Sequence, residues 1–157
     1  MWQVAALISN STAVGAVLLA TLDHHGTLQL SQEGNTDAAV KFFRVWWPKS
    51  ALVIAPSIAG SMLLSYAAYK SSHNNYWLYA GLSQTFTMAY SVFVVFPGPV
   101  KKLLQPASTG KELSSSEIDE CITSFHNLHI PRVISTLASF AFAGLAFCPH
   151  YSKISLV

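Results

Sequence analysis

Charge is what this chain has least of. Asp, Glu, Lys and Arg together make up 10% of its 157 residues, against about 25% in a soluble domain, so most of the surface cannot face water. Residues 2–22, 50–69 and 76–96 contain none of these four, and neither do residues 133–148, which end at Pro149. Hydrophobic residues are 52% of the chain and mean hydropathy is +0.39. An all-α integral membrane protein follows, multi-pass, with spans at about 2–22, 50–69, 76–96 and 129–148. One domain, 1–157, is expected, because no repeat period stands out and four spans with short tails leave no room for a second core.

Other absences narrow the function. The first span lacks a basic segment before it and is too long for the apolar part of a signal peptide, so it reads as a retained helix. Only two cysteines occur, Cys121 and Cys148, and neither lies in a CxxC. Along a helix they stand roughly 40 Å apart, far beyond disulfide reach, so both read as free thiols. No Gly-rich phosphate loop, dinucleotide fingerprint, Gly-x-Ser-x-Gly elbow or HExxH is present, and nothing points to nucleic acid.

Charge placement gives an orientation. All seven acids (Asp23, Glu33, Asp37, Glu112, Glu117, Asp119 and Glu120) fall in the first and third connections. Lys41, Arg44, Lys49, Lys101, Lys102 and Lys111 fall there too, whereas only Lys70 and Lys153 lie on the other side. The positive-inside rule puts both long connections in the cytosol. Residues 25–37 read as a loop, 38–47 as an amphipathic lead-in with Trp46 and Trp47 at the interface, and 71–75 as a tight turn. The third span is expected to stop at Phe96-Pro97-Gly98-Pro99, and 106–110 to form a second break. Ser114 with Glu117 fits a capping box opening the last helix, with a kink expected at Pro131. Small residues at Ser57, Gly60, Ser61 and Ser65, and more weakly at Ser11 and Gly15, suggest helix-contact seams.

The fourth uncharged run is short. At about 1.5 Å per residue it covers roughly 24 Å of a hydrocarbon layer about 30 Å thick, so the span must recruit His129, Ile130, Pro131 and Arg132. Ionisable groups at that depth are costly and mark a pocket by default. Phe125, His129, Arg132, Thr136 and Ser139 fall within a helical stripe about 80° wide, flanked by His126. Ser83, Thr87 and Tyr90, with Gln84 adjacent, form a candidate partner stripe. Several readings stay open here. Arg132 can snorkel to headgroups or answer Asp23, His126 and His129 can be a metal pair at i, i+3, and His24-His25 can be interfacial polarity.

The layout resembles a family of small four-helix membrane proteins that includes the fungal anthrone oxygenases. The resemblance runs from about residue 43 to 147. It rests on the lead-in 43–48, the third-span ending 97–104, and Phe125-His126-Asn127-Leu128-His129-Ile130-Pro131-Arg132. Two positions depart from the family pattern: Phe125 stands where Trp is commoner, and no asparagine follows Pro99. The resemblance implies oxidation of an anthrone-type aromatic polyketide to an anthraquinone, with O₂ as co-substrate and no cofactor, in secondary metabolism. His129 or His126 would then be the base, Arg132 the enolate clamp, and Trp46, Trp47 and Phe125, with Tyr90 and Gln84, the substrate-binding walls. Expected partners are the substrate, the lipid bilayer and other pathway enzymes. A non-catalytic accessory or scaffold protein, a metal or haem protein, and a transporter are the alternatives.

Overall fold

The computed structural model describes residues 1–105 and 113–148. The expected break at 106–110, together with Lys111, Glu112 and Lys153, lies outside them. The architecture is an all-α four-helix bundle. Helix α1 runs Trp2–Gln32 and α2 Thr36–Ser72; α3 runs Asn75–Tyr90 and continues through a π-wound segment, Ser91–Val100, into the short α4, Lys101–Leu104. Helix α5 runs Ser115–Phe147. Each of the four long helical units is long and apolar enough to cross a membrane. In space α1 packs on α2, α2 on α3, α3 on α5 and α5 back on α1, which closes a ring of four.

The bundle distributes polarity in the sense opposite to a soluble protein. Leu52, Phe93, Leu22 and Leu19 are each at least two-thirds exposed, whereas Asn10, Ser61, Ser65, Gln84, Thr87 and Ser139 are completely enclosed. Lipid offers apolar side chains a good solvent and polar ones none, so polar groups turn inward and bond to one another. The clearest instance is Asn10. Its Oδ1 accepts from Ser61 Oγ at 2.9 Å, Ser139 Oγ at 2.5 Å and Gln84 Nε2 at 3.5 Å, while its Nδ2 donates to Ser65 Oγ at 3.0 Å. One amide thus ties α1 to each of the other three long helices. Ser61 and Ser65 confirm the seam expected on α2, but Ser57 returns its hydroxyl to Val53 O on its own helix. The Ser11–Gly15 seam does not form: Ser11 is exposed and a Cβ on Gly15 would meet nothing. A closer approach occurs at Gly81, where an added Cβ would stand 2.9 Å from the Tyr66 ring. Tyr66 reaches across to Thr85 Oγ1 at 2.9 Å.

Three boundaries differ from the sequence expectation. Residues 25–32 are helical, so the first loop shrinks to a turn that includes Gly34 at φ +80°. This extension is held from the side: Thr27 accepts from Trp46 Nε1 at 2.9 Å and Ser31 donates to Asp119. The lead-in and the second span are one helix with Pro48 and Pro56 inside it. The third span does not stop at Phe96. An α register there would leave the carbonyls of Phe93 and Val95 facing Pro97 and Pro99, which have no N–H. The chain widens instead, as the Lys101 N–H bond to Phe96 O records, and bends at Gly98 (φ −82°, ψ −115°). The capping box forms as expected, with Ser114 N donating to Glu117 Oε2 at 2.8 Å and Glu117 N to Ser114 Oγ at 3.3 Å. Both cysteines are free.

Interhelical hydrogen bonds in membranes average about 0.6 kcal/mol each, so Asn10→Ala is expected to cost about 1–3 kcal/mol in a reversible detergent unfolding titration. Ser11→Ala, on the exposed face, is expected to leave the midpoint unchanged.

Candidate functional site

The stripe expected on α5 is turned inward in full. Phe125, His129, Arg132, Thr136 and Ser139 are all buried, and Arg132 is 2% exposed. Arg132 therefore does not snorkel. Nor does it answer Asp23: among the described residues it forms no ion pair. Its guanidinium meets His129 Nδ1 at 3.4 Å through Nη1 and lies over the Trp47 ring, 5.9 Å from the centroid. Among the described residues its Nε has no hydrogen-bond partner.

His129 is held by a directional chain. Thr21 gives its proton to Val17 O at 2.8 Å, so the Thr21 oxygen that stands 2.9 Å from His129 Nε2 can only accept. The imidazole then carries its hydrogen on Nε2 and turns the Nδ1 lone pair toward Arg132. Such a tautomer is assigned by the network around it. His126 is half-buried and does not share a target with His129. Its Nδ1 lies 3.1 Å from Nε2 of the fully buried His24, and those two rings stack at 5.1 Å. Among the described residues no group of three His, Cys, Asp or Glu side chains is arranged to hold a metal ion.

Aromatic rings wall the site on its α2 side. Trp47 stacks on Phe43 (5.9 Å, 6° between planes) and meets Phe125 edge-on at 5.3 Å. His24 also meets Phe125 edge-on, at 4.6 Å. Both tryptophans, expected at the interface, turn toward the bundle interior, Trp46 fully and Trp47 in part. Trp46 is buried, with its N–H committed to Thr27, and Trp47 turns beneath the arginine. The two remaining candidates part company. Tyr90 is half-buried, stacks on Phe86 at 5.6 Å and lies within electrostatic reach of Arg132. Gln84 belongs to the Asn10 cluster deeper in the bundle.

A cavity of about 200 Å³ opens beside Arg132. Trp47, Ala51, Ile54, Ala55 and Ile58 line it from α2, while Met88, Ser91, Val92 and Phe96 line it from α3 and its π-wound continuation. Arg132 is its one charged wall. His129, His126, Trp46, Phe125, Tyr90 and Gln84 do not line it, so of the residues expected at the site only Arg132 and Trp47 reach this space directly. Sequence reasoning missed Thr21, His24 as a partner of His126, and the α2 residues 51–58. The last could have been found from spacing, since Ala51, Ile54, Ala55 and Ile58 repeat at i, i+3, i+4, i+7. Comparison with protein-family models, with curated proteins and with solved structures finds nothing that matches this chain.

The tautomer has a direct readout. Histidine-specific ¹⁵N spectra of reconstituted protein are expected to show a neutral His129 protonated on Nε2. Thr21→Val is expected to perturb that resonance and leave the His24–His126 pair in place.

Proposed function

We propose that this chain is a membrane-embedded, anthrone oxygenase-like enzyme that oxidises an anthrone-type aromatic polyketide to the anthraquinone with O₂. The observation that carries the reading is a buried guanidinium facing an apolar cavity, with no carboxylate partner among the described residues. Such a charge has its electrostatic capacity uncommitted, and in a dry site it stabilises a developing anion far more than it would in water. An anthrone's central methylene is acidic because its conjugate base is an aromatic enolate. The anionic oxygen of that enolate is what Arg132 is placed to hold, with Trp47 as the flat wall beside the rings.

The rest of the reaction follows from the same groups. His129 stands behind Arg132 and outside the cavity lining, so the reading requires a substrate oxygen to draw the guanidinium off His129 Nδ1 and open the way for that lone pair to accept the methylene proton. The enolate carbon then gives its electrons to O₂ and forms a C–O bond. The peroxide takes back a proton, and loss of water leaves the new carbonyl. Anthrone and O₂ are converted to anthraquinone and water, the methylene carbon losing four electrons and O₂ taking up all four.

A second reading, a non-catalytic membrane accessory protein, is favoured by one observation: neither His129 nor His126 lines the cavity. Purified protein in lipid nanodiscs decides between the two. Supplied with an anthrone, it is expected to consume one O₂ per quinone formed, at a rate well above the spontaneous background. Arg132→Gln is expected to lower kcat/KM by about 10²–10³-fold, as loss of an anion-stabilising donor does elsewhere. His129→Gln should lower kcat with a smaller change in KM. Quinone formation equal to background by the wild-type protein would leave the accessory reading standing.

A further inference from the structure

We propose that the cavity beside Arg132 is entered sideways from the bilayer, through a gap between α2 and the π-wound end of α3. Its ligand class is a lipid-partitioned weak acid: one ionisable oxygen on an apolar body. As a statement about the substrate's route, this rests on the oxidation reading above; as a binding site, it stands on the geometry alone.

The outer wall of the cavity is lipid-facing. Ala55 is exposed, and Val92 and Phe96 are 50% and 52% exposed. All three sit within stretches that carry no charge for the length of a span. The inner wall ends at Arg132, which is 2% exposed and has an unpartnered Nε. The passage thus runs from exposed apolar side chains to a single enclosed cation, with the half-buried Ser91 as the other polar residue along it. A fully apolar molecule would leave the guanidinium unanswered, and a hydrophilic anion would not cross the alanine and phenylalanine rim. An amphiphile whose acidic oxygen leads inward satisfies both ends.

Backbone geometry supplies the gap. Ala51 and Ala55 are the smallest side chains on that face of α2. Opposite them the continuation of α3 carries Pro97 and Pro99 and kinks at Gly98, with Lys101 N–H reaching back to Phe96 O across the kink, so it does not pack against α2 as a regular helix would.

The test uses a probe that cannot be oxidised at the reacting carbon: a monohydroxyanthraquinone, whose visible absorption moves to longer wavelength when its phenol ionises. In nanodiscs at neutral pH, wild-type protein is expected to bind one probe per chain, saturably, with the ionised spectrum. Arg132→Gln should abolish the ionised band, and Arg132→Lys should restore part of it. Ala55→Trp places bulk at an exposed position, where folding is undisturbed, and should weaken binding about tenfold or more with Arg132 intact. Unchanged affinity in Ala55→Trp would overturn sideways entry, and an unchanged spectrum in Arg132→Gln would overturn the anchor. Saturable binding without O₂ uptake from an anthrone would uphold the site and remove the oxidation reading. Turnover unaffected by Ala55→Trp would uphold oxidation and remove this route.

Discussion

A guanidinium enclosed in a membrane-type bundle, without a carboxylate partner among the described residues, is the constraint around which this molecule is organised. The effective penalty for taking such an ion out of water is several kcal/mol even after relaxation. An aspartate one or two helical turns away would have offset it. The chain offers instead a histidine lone pair at 3.4 Å and an indole face at 5.9 Å. Both stabilise a cation weakly and neither neutralises it. The charge stays available to a ligand, and the remainder of the fold must supply the stability that this arrangement forgoes.

The Asn10 cluster ties the four long helices together beside that charge. It lies deeper along the same face of α5, because Arg132, Thr136 and Ser139 share one stripe and Ser139 bonds both Asn10 and Ala80 O. The hydroxyl of Ser139 has one proton for those two acceptors, so the cluster holds more acceptor capacity than donors. Among the described residues, Thr136 Oγ1 and Gln84 Oε1 have no hydrogen-bond partner. The interior is therefore polar along its length but only partly satisfied, and such networks are costly wherever they are not required.

The sequence makes the four helices legible because a bilayer demands one thing of a span, an uncharged run of sufficient length. The inward stripe of α5 is legible for the same reason, as Phe125, His129, Arg132, Thr136 and Ser139 can face nothing but the interior. Helix ends are less so. Residues 25–32 look like a loop because they are polar, yet Trp46 and Asp119, remote in sequence, bond Thr27 and Ser31 and hold that stretch helical. Asn10 was invisible because a single amide in an apolar run carries no periodicity of its own; its importance appears only when three other helices aim hydroxyls and an amide at it. The tryptophan pair misled for the converse reason. Position along the helix suggested an interface, whereas Phe43 and Phe125 had already made an inward-facing aromatic nest for both rings.

The location of the cavity follows from proline chemistry more than from side-chain volume. Two prolines spaced by one glycine deprive alternate carbonyls of their α partners, and the chain answers with a kink at Gly98, across which Lys101 N–H reaches back to Phe96 O. A kinked helix cannot interdigitate with α2 as tightly as a straight one does, and α2 faces it with alanines at 51 and 55. The space is thus written into backbone hydrogen bonding, and a ligand has no packed side chains to displace on entry. Ala51 and Ala55 line the cavity from α2, whereas Arg132 comes from α5, so the two sides of the space can be altered independently.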